Sequence, residues 1–519
     1  MHRPQTIAGL LARGADDDIA IAACEDTRPP LTHAALRRHM AATRAALNRF
    51  GIGRRDRVAI VLPNGPEMAT TFLCVAAGAT TAPLNPGYRE SEFDFYLRDL
   101  DARAIILEAG EDGPARAAAV ALKIPVIELR ARAEAAGLFD LVGDAGEPPA
   151  MPGPAEADDT ALVLHTSGTT SRPKIVPLSQ RNLCASARNI VDSLTLTPTD
   201  ACLNIMPLFH IHGLMAAVLS SLAAGASVHC SPGFNALKFF AWMARARPSW
   251  YTAVPTMHQA ILARAARNRS IVAGARLRLI RSSSSSLPPQ VMAGLEEVFG
   301  APVIESYGMT EASHQMTSNP LPPAVRKPGT VGRAAGPEVA IMSEDGTLLP
   351  PGAVGEIVIR GENVTAGYEN NPTANAAAFT DGWFRTGDQG VLDAEGYLSI
   401  TGRLKEIINR GGEKISPREV DEVLLDHPAV AQALTFAMPH LKLGEEVAAV
   451  VVLREGAEAD ARALRDFAAA RLAEFKVPRR IVFLDEIPKG ATGKLQRIGL
   501  ADKLGLAGDE PAAGGGDAR

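Results

Sequence analysis

Five cysteines in 519 residues, Cys24, Cys74, Cys184, Cys202 and Cys230, are few. Their number is odd and no two form a C-x-x-C pair. That suits reduced thiols in a cytosol better than a disulfide framework or a zinc site. A basic excess is also missing. Lys+Arg 53 against Asp+Glu 58 leaves a net charge of −5, so nothing in the charge points to nucleic acid or an anionic membrane. Long apolar runs are absent too. The stretches Thr71–Leu84 and Gly213–Val228 are broken by Gly, Ser and Thr, and fall short of the roughly 18 apolar residues a spanning helix wants. The first residues hold no apolar h-region, and Asp16, Asp17 and Asp18 argue against a transit peptide. The last residues, Gly-Asp-Ala-Arg, are not a peroxisomal tripeptide, so the expected compartment is the cytoplasm. No repeat of fixed period is visible.

What is present is ordinary for a soluble globular chain: 46% hydrophobic and 21% charged residues. The length asks for more than one domain, because single cores stop growing near ~250–300 residues. Short apolar runs at 57–62, 81–84 and 104–107 read as strands alternating with helices at 31–50 and 67–78, a layered α/β pattern. A Pro/Gly/acid-rich stretch at 145–159 reads as a loop. Further strands are expected at 226–229, 250–254, 277–281 and 302–305. From 330 to 400 the strands shorten and Gly and Asp turns separate them, which suggests an antiparallel sheet or small barrel. Residues 417–484 read as helix, two strands, helix and strand, a compact α+β unit. The Gly/Ala/Asp-rich end reads as a disordered tail.

Three stretches carry candidate chemistry. LHTSGTTSRPKIVP, Leu164 to Pro177, is a strand feeding a Ser/Thr/Gly loop with a lysine. Backbone N–H groups, hydroxyls and an ammonium together can cradle phosphate, although the P-loop order is absent and a polar loop is the alternative. In PLFHIHGL, His210 and His212 stand at H-x-H spacing. Without a third ligand nearby, a pocket-lining loop after a strand is favoured over a metal site. Five serines, Ser282 to Ser286, lie between a strand and a helix and read as a short ordered turn. SYGMTE, 306–311, reads as a polar turn at the carboxyl end of a strand, where open α/β sheets bind ligands.

HTSGTTSRPK, SYGMTE, WFRTGD, GRLKEIINRGGEKISP and PKGATGK, in this order from about residue 30 to about residue 500, resemble the adenylate-forming superfamily of acyl- and aryl-CoA synthetases, adenylation domains and luciferase. Within it the chain looks most like the oxalate–CoA ligases, through SGTTSRPK, PLFHIHGL, WYTAVPT, YGMTEASH, SNPLP and INRGGEKISP. The resemblance implies an N-terminal AMP-binding domain at 1–402, made of layered α/β subdomains plus a small β-barrel-like subdomain. A hinge at 403–405, a small mobile α+β domain at 406–505 and a tail at 506–519 would follow. It implies a soluble enzyme, monomer or homodimer, that uses ATP, Mg²⁺ and coenzyme A to turn a small carboxylic acid into its acyl-CoA by way of an acyl-adenylate.

By the same resemblance Thr166, Ser167, Gly168, Thr169, Thr170 and Lys174 hold the β- and γ-phosphates, and Glu311 binds Mg²⁺. Thr310 contacts the α-phosphate. Ser306, Tyr307 and Gly308 flank the adenine, while Asp388 and Arg403 reach the ribose. Lys494 bridges the acid and the α-phosphate. Lys405 is the hinge, and Gly411, Gly412 and Lys414 line the path of coenzyme A. His210 serves both the chemistry and the acid, with Ser284, Ser286 and His314 around the acid. Two departures from the family stand out. Ile175 replaces a glycine; being β-branched, it is either extended or alters closure of the phosphate loop. Serines replace the usual apolar residues of the acyl pocket, which with His314 suits a small polar diacid better than a long alkyl chain. The alternative is that the serines satisfy each other and the backbone. Rival activities are ligation of another short or aromatic acid, loading of a carrier protein, and nucleotide binding without catalysis.

Overall fold

The computed structural model describes residues 3–166, 173–488 and 495–506. The chain forms two compact units. One comprises Met1–Val339, Val358–Arg385 and Glu395–Leu398; the other comprises Ala340–Ile357, Thr386–Ala394 and Ser399–Arg519. Among the described residues no helix is long and apolar enough to cross a membrane.

Two sheets organise the first unit. In the seven-stranded sheet, Arg57–Val61 lies between Thr80–Pro83 and Ala104–Glu108, both parallel to it. Val58, Ala59 and Ile60 are fully buried, which is why the run is apolar without alternation: a parallel strand is covered on both faces. The helix His33–Arg49 starts where the Thr32 hydroxyl accepts from the Ala35 N–H, and it turns Leu36, Met40 and Leu47 inward at helical spacing. Each such burial is worth about 1.5–3 kcal/mol. Gly51, at φ +76°, takes the chain out of the helix.

The sheet ends in an antiparallel hairpin, Thr160–Thr166 with Lys174–Ser179. The second strand was not expected, since Pro177 interrupts its apolar run. It is the edge strand, where a missing N–H costs no ladder bond. Ser179 then caps the helix Gln180–Leu194 in a reciprocal exchange with Asn182.

The nine-stranded sheet has a parallel centre: Ile19–Ala23, Ser227–Cys230, Ala201–Asn204, Trp250–Ala253, Leu279–Ser282 and Val303–Met309. His314–Ser318 returns antiparallel along the last of these. The segment 306–309, expected as a turn, is therefore strand, and the turn is the short helix Thr310–Ala312.

In the second unit, strands Ile408–Arg410, Glu413–Ile415, Val430–His440 and Gly444–Leu453 pair antiparallel, and Arg480–Phe483 adds in parallel. The period of two is plain along Gly444–Leu453. Val447, Ala449 and Val451 pack against helices Pro417–Leu425 and Ala461–Ala469, while Ala448 and Val450 meet Phe436, Ile487 and Leu500.

Candidate active site

Carboxyl ends of neighbouring parallel strands bring together residues expected around the acid. Thr252 is in register with Arg281, and Ser282 with Glu305. His212 opens a wide π-type helix, His212–Leu219, shortly after the strand Ala201–Asn204. Such helices occur often at functional sites. The His212 ring lies 3.0 Å from Ser284 Oγ through Nδ1 and 2.6 Å from Thr252 Oγ1 through Nε2. It stacks on His314, with ring centroids 4.9 Å apart and planes 23° apart. Arg281 donates from Nη1 to His314 Nε2 at 3.1 Å and from Nη2 to Gln315 Oε1 at 3.3 Å. The guanidinium is fully buried, and burial pulls its pKa down to about 9, so it remains a cation near neutral pH.

The backbone around this cluster is strained. Ser284, Ser313 and His314 have φ of +74°, +48° and +99°. Non-glycine residues avoid that region at a cost of about 1–3 kcal/mol each, and such strain gathers where geometry is functional. Gly308 is required for a related reason. A Cβ there would lie 1.6 Å from the His314 carbonyl oxygen, so a side chain would displace the strand that carries the histidine.

The serine run divides between structure and site. Ser283 Oγ donates to the Ser306 carbonyl at 2.9 Å, and Ser306 Oγ to the Ser282 carbonyl at 3.2 Å, stitching two strands. Ser284 instead faces an imidazole. Ser286 is half-buried. His210 accepts the His212 N–H on Nδ1 at 3.4 Å.

At the expected phosphate loop, the hairpin sets Thr166 opposite Lys174. Ile175 is extended, paired with His165 and buried in the sheet core, which resolves the departure from glycine: no positive φ is needed. The Lys174 ammonium lies 4.2 Å from the centroid of the Tyr368 ring, and the Tyr368 hydroxyl donates to Glu311 Oε1 at 2.8 Å. Burial, with the Glu311 charge beside it, pushes the Tyr368 pKa far above the usual phenol range, so it stays a donor. Thr365 fastens the same segment, its N–H to the Glu311 carbonyl at 2.7 Å and its hydroxyl to that of Pro177 at 2.9 Å. Ser167, Gly168, Thr169, Thr170 and Lys494 lie outside the described residues.

Thr310 opens the short helix next to Glu311. Tyr307 is buried in the ladder opposite Thr317. In the second unit, Arg403 Nε donates to Asp388 Oδ1 at 2.9 Å. Lys405 is exposed in the turn after the strand Leu398–Arg403. Gly411 and Gly412, at φ +58° and +99°, make the two-residue turn of a hairpin, which calls for positive φ at both. Lys414 is exposed beside Glu344, 3.6 Å away.

Magnesium keeps hard oxygen ligands, usually one or two carboxylates with phosphate oxygens and water. Glu311, a buried carboxylate oriented by Tyr368, fits such a shared site. No group of three or more His, Cys, Asp or Glu able to hold a metal occurs among the described residues.

Comparison with known proteins follows this geometry. A model of the AMP-binding enzyme family matches residues 11–369, and one of the AMP-binding enzyme C-terminal domain matches residues 419–494. An oxalate–CoA ligase of Arabidopsis thaliana is 48% identical over 90% of this chain and 92% of its own. An oxalate–CoA ligase of Saccharomyces cerevisiae is 43% identical over 86% and 87%. The crystal structure of ATP-bound MatB from Rhodopseudomonas palustris superposes with a TM-score of 0.85 at 30% identity, covering 96% of this chain and 99% of that one.

Proposed function

The chain belongs to the AMP-binding enzyme family, and from that premise we propose that it activates oxalate with ATP and joins it to coenzyme A. The reaction class is AMP-forming acid–CoA ligation. A carboxylate oxygen attacks the α-phosphorus of ATP and diphosphate leaves. The thiol of coenzyme A then attacks the acyl carbon and AMP leaves. The protein's task in the first half is to position two anions and offset their charge.

The observation that carries the choice of acid is the acyl end itself: His212, His314, Ser284 and a buried Arg281 in one hydrogen-bonded cluster. An alkyl chain would offer the buried cation no countercharge and the cluster no acceptor. A compact diacid meets them with acceptors. The high identity to two oxalate–CoA ligases supports the same choice.

In this proposal Thr166, Ser167, Gly168, Thr169, Thr170 and Lys174 hold the terminal phosphates, and Glu311 would hold Mg²⁺, which supplies further neutralisation of phosphate charge when bound. Thr310 meets the α-phosphate, Ser306, Tyr307 and Gly308 the adenine, and Asp388 and Arg403 the ribose. Lys494 bridges acid and α-phosphate. His210, Ser284, Ser286 and His314 surround the acid. Gly411, Gly412 and Lys414 guide coenzyme A, and the domains divide at the hinge 403–405.

The test is diphosphate release with Mg-ATP and coenzyme A over oxalate, malonate, glycolate, acetate, octanoate and benzoate. Oxalate is expected to lead in kcat/KM by tenfold or more, and His314→Ala and Ser284→Ala to remove most of that lead. Preference for octanoate or benzoate would refute the choice of acid and leave the reaction class in place.

A further inference from the structure

Arg281 is an unusual residue to find fully buried. Among the described residues it has no carboxylate partner, and its Nε has no hydrogen-bond partner at all. Its neighbours are neutral acceptors: His314 Nε2, Gln315 Oε1 and, at 3.5 Å, Thr252 Oγ1. Burying a cation without an opposing charge is costly. A group of this kind persists where something else supplies the charge.

Arg281 also sets the hydrogens of its neighbours, because a guanidinium donates and never accepts. His314 Nε2 must accept from it, so the ring is neutral and carries its proton on Nδ1. Thr252 Oγ1 accepts the weaker bond from Arg281 and shares a hydrogen with His212 Nε2, while His212 Nδ1 shares one with Ser284 Oγ. The His314 imidazole therefore holds one tautomer, and a buried positive charge stands behind both stacked rings.

We propose that Arg281 is the residue that makes this pocket selective for dianionic acids, acting through His314 as an Nδ1–H donor and as the buried countercharge to a second carboxylate. This rests on the reading of the cluster as the acyl end. Arg281 is a positioning residue: it holds the His314 imidazole and the field, while His314 meets the acid. Arg278, just before the strand, shows the contrast, being partly exposed and paired with Asp200 at 3.0 Å.

The test compares matched acids that differ in one charge: oxalate with glyoxylate, and malonate with acetate. kcat and KM are measured for the wild type, Arg281→Met and Arg281→Lys with intact folding checked by melting. In the wild type each dianion should lead its monoanion. In Arg281→Met that ratio should fall at least tenfold, mainly through KM of the dianion, with the monoanion's KM little changed. Arg281→Lys, which keeps charge and loses the fork, should recover part of the ratio. An equal loss for both acids in Arg281→Met would mean a purely structural role and overturn the proposal, while oxalate use by the wild type would stand. A malonate-led wild type whose dianion preference Arg281→Met abolishes would support Arg281 and refute oxalate. A monoanion-led wild type would overturn both. If Arg281→Met does not fold, the wild-type protein labelled with ¹⁵N-histidine still decides. The His314 signals, assigned by their loss in His314→Asn, should show the Nδ1–H tautomer; an Nε2–H ring would overturn the proposal.

Discussion

Tyr368 shows how much of a site hangs on one hydroxyl. Its ring lies under the Lys174 ammonium and its oxygen donates to Glu311, so one side chain ties the cationic and the anionic members of the phosphate end. Tyr368→Phe keeps the ring and removes the donor. A hydrogen bond to a charged acceptor is worth about 1.5–3 kcal/mol, so kcat/KM for Mg-ATP is expected to fall about tenfold or more, with a higher Mg²⁺ requirement. Tyr368→Leu, which also removes the ring, should lose more. A Tyr368→Phe enzyme with unchanged Mg²⁺ titration would remove Tyr368 from the site. Neither this tyrosine nor Arg281 was legible in the sequence. Tyr368 sits in a turn-like stretch with no motif to mark it. Arg281 lies within the strand Leu279–Ser282 and Arg278 just before it, and nothing in a linear pattern says which of the two arginines is covered. Ser284 and His314 were legible, because small hydroxylated residues stand where apolar ones are usual. Their positive φ, which turns them toward the cluster, was not.

Among elements, those with strong period or clear caps were legible and those defined by partners were not. The helix His33–Arg49, the parallel strands and the α+β unit at the C-terminal end follow from apolar spacing and stop signals. The edge strand Lys174–Ser179 and the strand nature of Ser306–Met309 depend on pairing with distant residues, which local propensity does not encode. The entrance to the first of these hairpins is pinned by Asp159. Burial alone would raise its pKa, but hydrogen bonds from Arg54 at 2.6 Å, the Glu156 N–H at 2.8 Å and Arg55 at 2.9 Å outweigh that and bring it down to about 2. A lowered folded-state pKa adds stability that is complete above the unfolded value of about 3.9 and is lost as pH falls toward 2. Asp159→Asn should therefore melt lower than wild type at pH 7, a loss of about 2 kcal/mol. The difference should stay constant from pH 5 to 8 and narrow below pH 4. A gap that ignores pH, or no gap at pH 7, would mean that the network is held by something other than the Asp159 charge.

On the scale of the whole molecule, one carboxyl group must meet two partners in turn: its oxygen the α-phosphorus of ATP, then its carbon the thiol of coenzyme A. We assign Lys494 to the first step and Gly411, Gly412 and Lys414 to the second, all on the chain after Lys405. If these groups serve in turn, the backbone near Lys405 must change conformation between the steps. The local structure suits that role. Lys405 is exposed, the turn is closed by the Glu406 and Ile407 N–H groups on the Arg403 carbonyl at 2.8 and 3.1 Å, and no hydrogen bond from the Lys405 N–H occurs among the described residues. Lys405→Pro would thus fix φ near −65° without removing a bond the fold uses. Oxalate-dependent exchange of labelled diphosphate into ATP, which reports adenylate formation alone, is expected to remain within about threefold of wild type. Acyl-CoA formation in single turnover is expected to slow by about a hundredfold, the scale on which small misplacement of reacting groups tells. Equal losses in both assays would place the substitution in the adenylate-forming conformation itself. No loss in either would move the hinge elsewhere in the chain and leave the two half-reactions to be divided by different residues.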